Sequence, residues 1–270
     1  MKDELITSEN RIEETYWWFV GRRAILESFL RRFVKCQRVA VDVGCGSGRN
    51  MQLLSRYNEF VVGLDRSPAA LRLAVARGLP TACADGHCIP LADSSVDFLS
   101  ALDVLEHLDD DMRALSEFQR VLRAGGFLLV TVPAYRFLWS EHDEALMHRR
   151  RYTASELHIK LTRSRFQVLK RSYAVFFPFF PIALYRLFRG LFPKDPFAPK
   201  ASHVMLPGFL NSLLIALLKT EAWIMRALNL PWGTSIVVLT QKIPATTGEA
   251  MNVPAESEEC QESVVERSYS

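Results

Sequence analysis

Clean hydrophobic runs are missing from this sequence. No stretch reaches the ~20 apolar residues that a membrane-crossing helix needs, although 49% of the 270 residues are hydrophobic. The greasiest region, 174–233, is interrupted by prolines and by Arg186, Arg189, Lys219, Glu221 and Arg226. The opening MKDELITSENRIEE is charged and has no apolar h-region, so no signal peptide is expected. Cysteine is sparse. The five, Cys36, Cys45, Cys83, Cys88 and Cys260, show neither paired zinc spacing nor a disulfide framework, so reduced thiols in a cytoplasmic protein are expected. No internal repeat is visible.

What is present is the composition of a globular chain, with 23% charged residues and a net charge of +3. From Pro244 onward six glutamates face Arg267 alone, which leaves about +8 on the residues before it. That polar, aperiodic tail, 244–270, is expected to be disordered. The basic body suits a membrane surface, a nucleic acid or a phosphorylated substrate, and charge does not choose among them.

Hydrophobic periodicity predicts helix over 9–34, then a buried strand at 39–43, a helix at 51–56, a strand at 60–64 and a helix at 68–77 with proline in its first turn. VDFLSAL reads as strand, 110–122 as helix and GFLLVTV as strand, with FQVLKRSY and TSIVVLTQKI as late strands. This alternation implies an α/β, doubly wound, Rossmann-like parallel sheet. The sixty residues at 174–233 break it and read as an apolar helical insertion between the last two strands. The expected division is a helical cap at 1–38, a core at 39–173, the insertion at 174–233, the final core strand at 234–243 and the tail.

In VAVDVGCGSGRNMQLLSRYNEFVVGLD, Gly44, Gly46 and Gly48 follow a strand that ends near Asp42, and Asp65 closes the next strand 21 residues after Gly44. Such a loop leaves backbone bare for a ligand at the carboxyl ends of the strands. A carboxylate at that later position suits ribose hydroxyls. The dinucleotide fingerprint would need glycine where Arg49 or Met51 stands, which disfavours a nicotinamide or flavin oxidoreductase. Asp42 would repel a pyrophosphate but suits an ammonium group, so an adenosine bearing an amino acid fits both acids.

VDVGCGSG, VVGLDRS, CADGHCIPLADSSVDFLSALDVLEHL and EFQRVLRAGGFLLVTVP together resemble the ordered motifs of class I S-adenosylmethionine-dependent methyltransferases, in the branch of the ubiquinone- and menaquinone-pathway enzymes. The resemblance covers about 39–133 and implies a seven-stranded sheet whose last strand is antiparallel. It also implies S-adenosylmethionine as cofactor and a set of roles. Gly44 and Gly46 would lie along the methionyl part with Asp42 near its amino group. Asp65 would take the ribose hydroxyls, Arg66 would pack beside the adenine, Asp85 and Gly86 would meet the adenine edge, and Asp103 would lie below the sulfonium. A non-catalytic cofactor-binding scaffold is the rival that such residues also permit.

Before the sheet, TYWWFVGRR offers Trp17, which could exclude water from the methyl group, and Arg22, whose planar fork could pair the cofactor carboxylate. After the fifth strand, VPAYRFLWSEHDEALMHRRRYT offers Tyr135, Trp139, His148, Arg150 and Tyr152 for the acceptor. His107 and His142 are the candidate general bases. His142 and His148 are six apart, on different faces of any one helix, and no metal is expected. The expected acceptor is a small or lipid-linked molecule and not a nucleic acid. The insertion could rest on the inner membrane face, or fold over the acceptor site.

Overall fold

The computed structural model describes residues 10–188 and 206–244. The elements are α1 (Trp17–Phe33), β1 (Gln37–Val43), α2 (Arg49–Leu54), β2 (Asn58–Asp65), α3 (Pro68–Val75), β3 (Thr81–Cys83), β4 (Val96–Leu102) and α4 (Asp111–Val121). There follow β5 (Leu122–Pro133), α5 (Glu141–Ala145), α6 (Ala154–Arg163), β6 (Phe166–Ala174), α7 (Phe176–Phe188), α8 (Gly208–Ile224) and β7 (Ser235–Lys242). Single 3-10 turns at Leu105–His107 and Arg136–Leu138 complete the series.

The seven strands lie in the order β3-β2-β1-β4-β5-β7-β6. β1, β2, β3, β4 and β5 pair in parallel, while β7 slots between β5 and β6 antiparallel to both. The expected sheet with its antiparallel last strand is therefore present. β3 was not singled out in the sequence: three residues, one half-buried and two exposed, carry no readable pattern. The chain runs outward from β1 to β2 and then crosses to β4 on the other side, so β1 and β4 flank the reversal point where α/β sheets bind ligands.

Alternate strand residues feed two cores, as the period of two requires. Val41, Leu99, Leu128 and Val238 face one layer with Leu115 and Phe118 of α4 and Leu157 and Leu161 of α6. Ala40, Phe98, Leu129 and Val237 face the other, with Ile25 and Phe29 of α1 and Leu218 and Ala222 of α8. Local chemistry sets several helix starts. Ser67 Oγ accepts from Ala70 N ahead of Pro68, Asp110 Oδ1 accepts from Met112 N and Arg113 N at 3.0 Å each, and Thr153 with Glu156 forms a capping box.

The helix expected over 9–34 is interrupted: residues 10–12 are helical, turns follow at 13–15, Tyr16 is extended and α1 starts at Trp17. It is also less separate than a cap at 1–38 suggests. α8, from the insertion, lies directly on α1: a Cβ on Gly21 would come within 2.2 Å of Leu218 Cδ1. The insertion is thus partly core. Residues 189–205 and the tail beyond Pro244 lie outside the described residues. Among the described residues Cys36, Cys45 and Cys83 are free thiols.

Candidate active site

The glycine loop follows β1 with Gly44, Gly46 and Gly48 at φ of 69°, 55° and 82°. Positive φ is where glycine costs least. A Cβ on Gly44 would strike Val104 Cγ2 at 2.5 Å, whereas one on Gly46 would meet nothing within 4 Å. The loop therefore presents open backbone at Gly46. Asp65, at the end of β2, accepts from Gly46 N at 2.9 Å and Ser67 N at 2.8 Å, so this carboxylate sets the loop's position.

Beneath the loop Asp42 is 1% exposed. Its Oδ1 accepts from Ser100 Oγ at 2.6 Å and its Oδ2 has no partner. Burial pushes its carboxyl up to about 7, opposed by the Ser100 hydrogen bond and Arg22. A cationic group at the loop would meet an acid with one oxygen still free to accept. Asp85 accepts from His87 N at 2.8 Å and approaches His87 Nδ1 at 2.7 Å and Arg66 at 3.4 Å. Burial opposes its ionisation, but these hydrogen bonds and charges win and lower its carboxyl.

A cavity of about 500 Å³ opens beside the loop. It is lined by Gly44, Gly46 and Asp103, by Trp17 and Arg22 of α1, and by His107, His142 and His148. Ile182 and Arg186 of α7 face into the same space, so the insertion contributes to its wall. Asp103 follows β4 with φ of 58°, a left-handed conformation uncommon outside glycine. It is held there by Thr131 Oγ1, which donates at 2.8 Å, and by Arg22 at 2.8 Å.

Arg22, expected on a cofactor carboxylate, is thus engaged by Asp103 and also donates to Thr131 Oγ1 at 2.9 Å, while its Nε is buried without a partner. Asp42, Asp65, Arg66, Asp85 and Gly86 are not among the residues lining this cavity. Asp65 instead ends β2, and Arg66 beside it pairs with Asp85 at 3.4 Å.

Of the acceptor residues, Trp17 and His148 line the cavity, and four do not. Tyr152 is 2% exposed, its hydroxyl bonded to Asp111 Oδ2 at 2.8 Å inside the core. Arg150 ties down the loop after β4 through the carbonyls of Leu108 and Asp109, at 2.9 and 2.7 Å. Tyr135 stacks on Tyr173 with ring centres 5.0 Å apart. Trp139 is half exposed away from the cavity. For Arg150 and Tyr152 the cause is shared: in HRRRYT their polar heads turn inward to pin two loops together, a choice that residue type alone does not show.

Glu13 and Glu106, which no motif in the sequence marks, also line the cavity, as does Arg151 of the basic run that could hold an anionic acceptor. Glu13 accepts from Ser47 Oγ at 2.5 Å and lies 3.6 Å from Arg77, so the segment before α1 is strapped to the glycine loop. Arg49, where a dinucleotide site wants glycine, pairs with Glu14 and stands 3.9 Å from Glu13. The only signal for Glu106 is its adjacency to His107 in LEHL.

Residues 41–130 match the family model described as a methyltransferase domain. A "Probable S-adenosylmethionine-dependent methyltransferase" of Mycolicibacterium smegmatis is 32% identical over 160 residues, 58% of this chain and 61% of the relative. Trans-aconitate 2-methyltransferase of Deinococcus radiodurans is 37% identical over 123 residues, 45% of each chain. The chain thus spans between 34% and 61% of the length of the first three curated relatives it matches. Among solved structures, a chain from the complex of the Haloferax volcanii Trm112 methyltransferase activator superposes with a TM-score of 0.60 at 18% identity, over 90% of this chain and 100% of that one. Phosphoethanolamine N-methyltransferase 2 of Haemonchus contortus, solved with S-adenosyl-L-methionine, gives 0.52 at 20% identity over 82% of this chain and 52% of that one. The sheet order, the bare glycine loop between two acids and these matches converge: the chain has the class I methyltransferase fold, and its residues 41–130 are similar to the methyltransferase domain of S-adenosylmethionine-dependent enzymes.

Proposed function

We propose that this protein transfers a methyl group from S-adenosylmethionine to a lipid-like or lipid-linked acceptor at a membrane surface, on the cytoplasmic side. The observation that carries this reading is the double face of α7. Its Ile182 and Arg186 line the cavity that also holds Asp103 and the glycine loop. Outward, Phe180, Leu184 and Leu187 are 52%, 59% and 74% exposed at helical spacing. Trp232 packs near Phe180 with ring centres 6.2 Å apart and extends the same apolar surface. An element that is greasy outside and cavity-lining inside suits an acceptor that enters from a bilayer. Among the described residues no helix is long and apolar enough to cross a membrane, so contact in this reading is peripheral.

The residues present fit the cofactor. Gly46 leaves room against bare backbone, Asp42 has an unpartnered buried oxygen and Asp65 stands at the adjoining strand end. S-adenosylmethionine supplies an already activated methyl on a sulfonium. The chain's part is therefore positioning and exclusion of water. In this reading Asp42 faces the amino group, Asp65 the ribose, and Asp85 with Gly86 the adenine edge, with Arg66 beside it. Trp17 shields the reacting end, above Asp103. His142 is the base for a hydroxyl acceptor. His107 is a weaker candidate, because burial, with the neighbouring His148, lowers it to about 4. It is neutral at pH 7 but a poor proton acceptor.

The decisive experiment incubates the full chain with methyl-labelled S-adenosylmethionine and either a membrane lipid extract or transfer RNA. Label in the organic phase that requires the enzyme is expected. Label confined to RNA, or to neither fraction despite measured cofactor binding, rejects the acceptor class.

A further inference from the structure

Glu106 raises a question that methyl transfer does not answer. Its side chain is fully buried, at 0% exposed, and neither carboxylate oxygen has a hydrogen-bond partner. An ionised carboxylate held that way is costly unless something cationic or a proton reaches it. Two imidazoles stand next to it. His148 Nε2 is 4.0 Å from Glu106 Oε1, and the rings of His107 and His148 meet edge to face with centres 4.8 Å apart. One donor atom from each of the three residues lies within 4.8 Å of the others.

We propose that Glu106, His107 and His148 form a binding site for a divalent transition cation in the wall of the cavity. A proton alone is the weaker answer. It would occupy one of the two oxygens, and at 4.0 Å His148 is too far to share it. A cation engages the carboxylate and both rings together. The surroundings are arranged for it. Asp143 Oδ1 is 2.9 Å from His148 Nδ1 and fixes that ring so that Nε2 is the nitrogen turned toward Glu106. A carboxylate behind a histidine is the usual support of a metal-ligating imidazole. Asp143 is itself buried and pinned by Arg151 at 2.7 and 3.0 Å, so the support is rigid.

Two nitrogens and one carboxylate favour zinc, manganese, iron or cobalt over magnesium or calcium, which prefer all-oxygen shells. Ligand bonds of roughly 2.0–2.2 Å require the three side chains to draw in by about 1 Å. His107 and His148 line the cavity, so positions remain on the cation for an acceptor oxygen. The sequence reading paired His142 with His148 and expected no metal. The fold instead brings together a 3-10 turn after β4 and the loop after α5.

The role at the acceptor rests on the methyl-transfer reading, but cation binding does not, so the two fail separately. The full chain, stripped with chelator, is titrated with Co2+ while visible absorption and Tm are followed. One saturable equivalent is expected, with a d–d band and a Tm that climbs with cation concentration. Glu106→Gln should keep the chelated Tm at least as high, since it removes an unpaired buried charge, and should weaken Co2+ binding at least tenfold. His107→Ala/His148→Ala should abolish the band. No saturable band in the wild-type protein overturns the proposal, as does a band of equal affinity in Glu106→Gln. Cation binding without lipid methylation leaves the site standing and removes only its role.

Discussion

Asp42 and Asp65 close neighbouring parallel strands, yet they meet opposite environments. Asp65 has both oxygens occupied by backbone amides, and Asp42 keeps one oxygen bare in the core. Replacing Asp65 with alanine removes a charged acceptor from the loop that cradles the cofactor. Affinity for S-adenosylmethionine should fall by about 1–3 kcal/mol, read by calorimetry; an unchanged constant would refute the ribose role. Asp42 should show itself through pH. Its carboxyl stands at about 7 against an ordinary 3.8, because burial penalises the ion. Between those values the unfolded chain has released a proton that the folded chain retains. Stability therefore declines as pH rises through this window and levels off above it. Asp42→Asn should flatten that part of the decline. Melting curves taken from pH 4 to 8 test it, and parallel profiles for variant and wild type would mean the acid is already ionised in the fold.

At the scale of elements, the contact of α8 on α1 decides whether the insertion is an appendage or part of the body. Gly21 is the point of closest approach, and Leu218 opposite it is 0% exposed. Gly21→Ala would gain ~1 kcal/mol of helix propensity but would push a methyl into Leu218 Cδ1, Cβ and Cγ, at 2.2, 2.6 and 2.9 Å. Overpacking of that kind costs ~1–3 kcal/mol, so net destabilisation is expected in denaturant titration; a more stable variant would show that the helices can separate freely. Glu221 adds a second tie. It is buried on α8 and accepts from Val175 N and Phe176 N, at 2.5 and 2.9 Å, at the start of α7. One carboxylate thus sets where the cavity-lining helix begins.

Over the whole molecule, α7, which lines the cavity through Ile182 and Arg186, leaves Phe180, Leu184 and Leu187 exposed. Phe209 and Trp223 of α8 are also exposed, at 76% and 67%. Removing the insertion would be a poor test of membrane contact, because Leu218, Ala222 and Met225 belong to the core. Leu184→Glu/Leu187→Glu changes only exposed positions. It should abolish flotation with anionic liposomes while leaving Tm within a degree or two; flotation retained by the folded variant would place membrane contact elsewhere or nowhere.

The strand–helix alternation, the glycine loop and the acids at strand ends were legible in the sequence because each depends on local chemistry. A buried parallel strand needs a β-branched run, a bare loop needs glycine, and a helix start needs a cap. VDFLSAL is β4 residue for residue, and Asp110 is the cap of α4. The tertiary structure alone decided which polar groups face the cavity. Tyr152 and Arg150 look like ligand residues and are structural, while Glu106 looks like part of a helical turn and is buried beside two histidines. Side chains from β4, α1, α5 and α7 converge there across sequence separations of up to about 160 residues, and no local pattern encodes which of them meet. That is settled only when long-range packing trades the burial of one group against another.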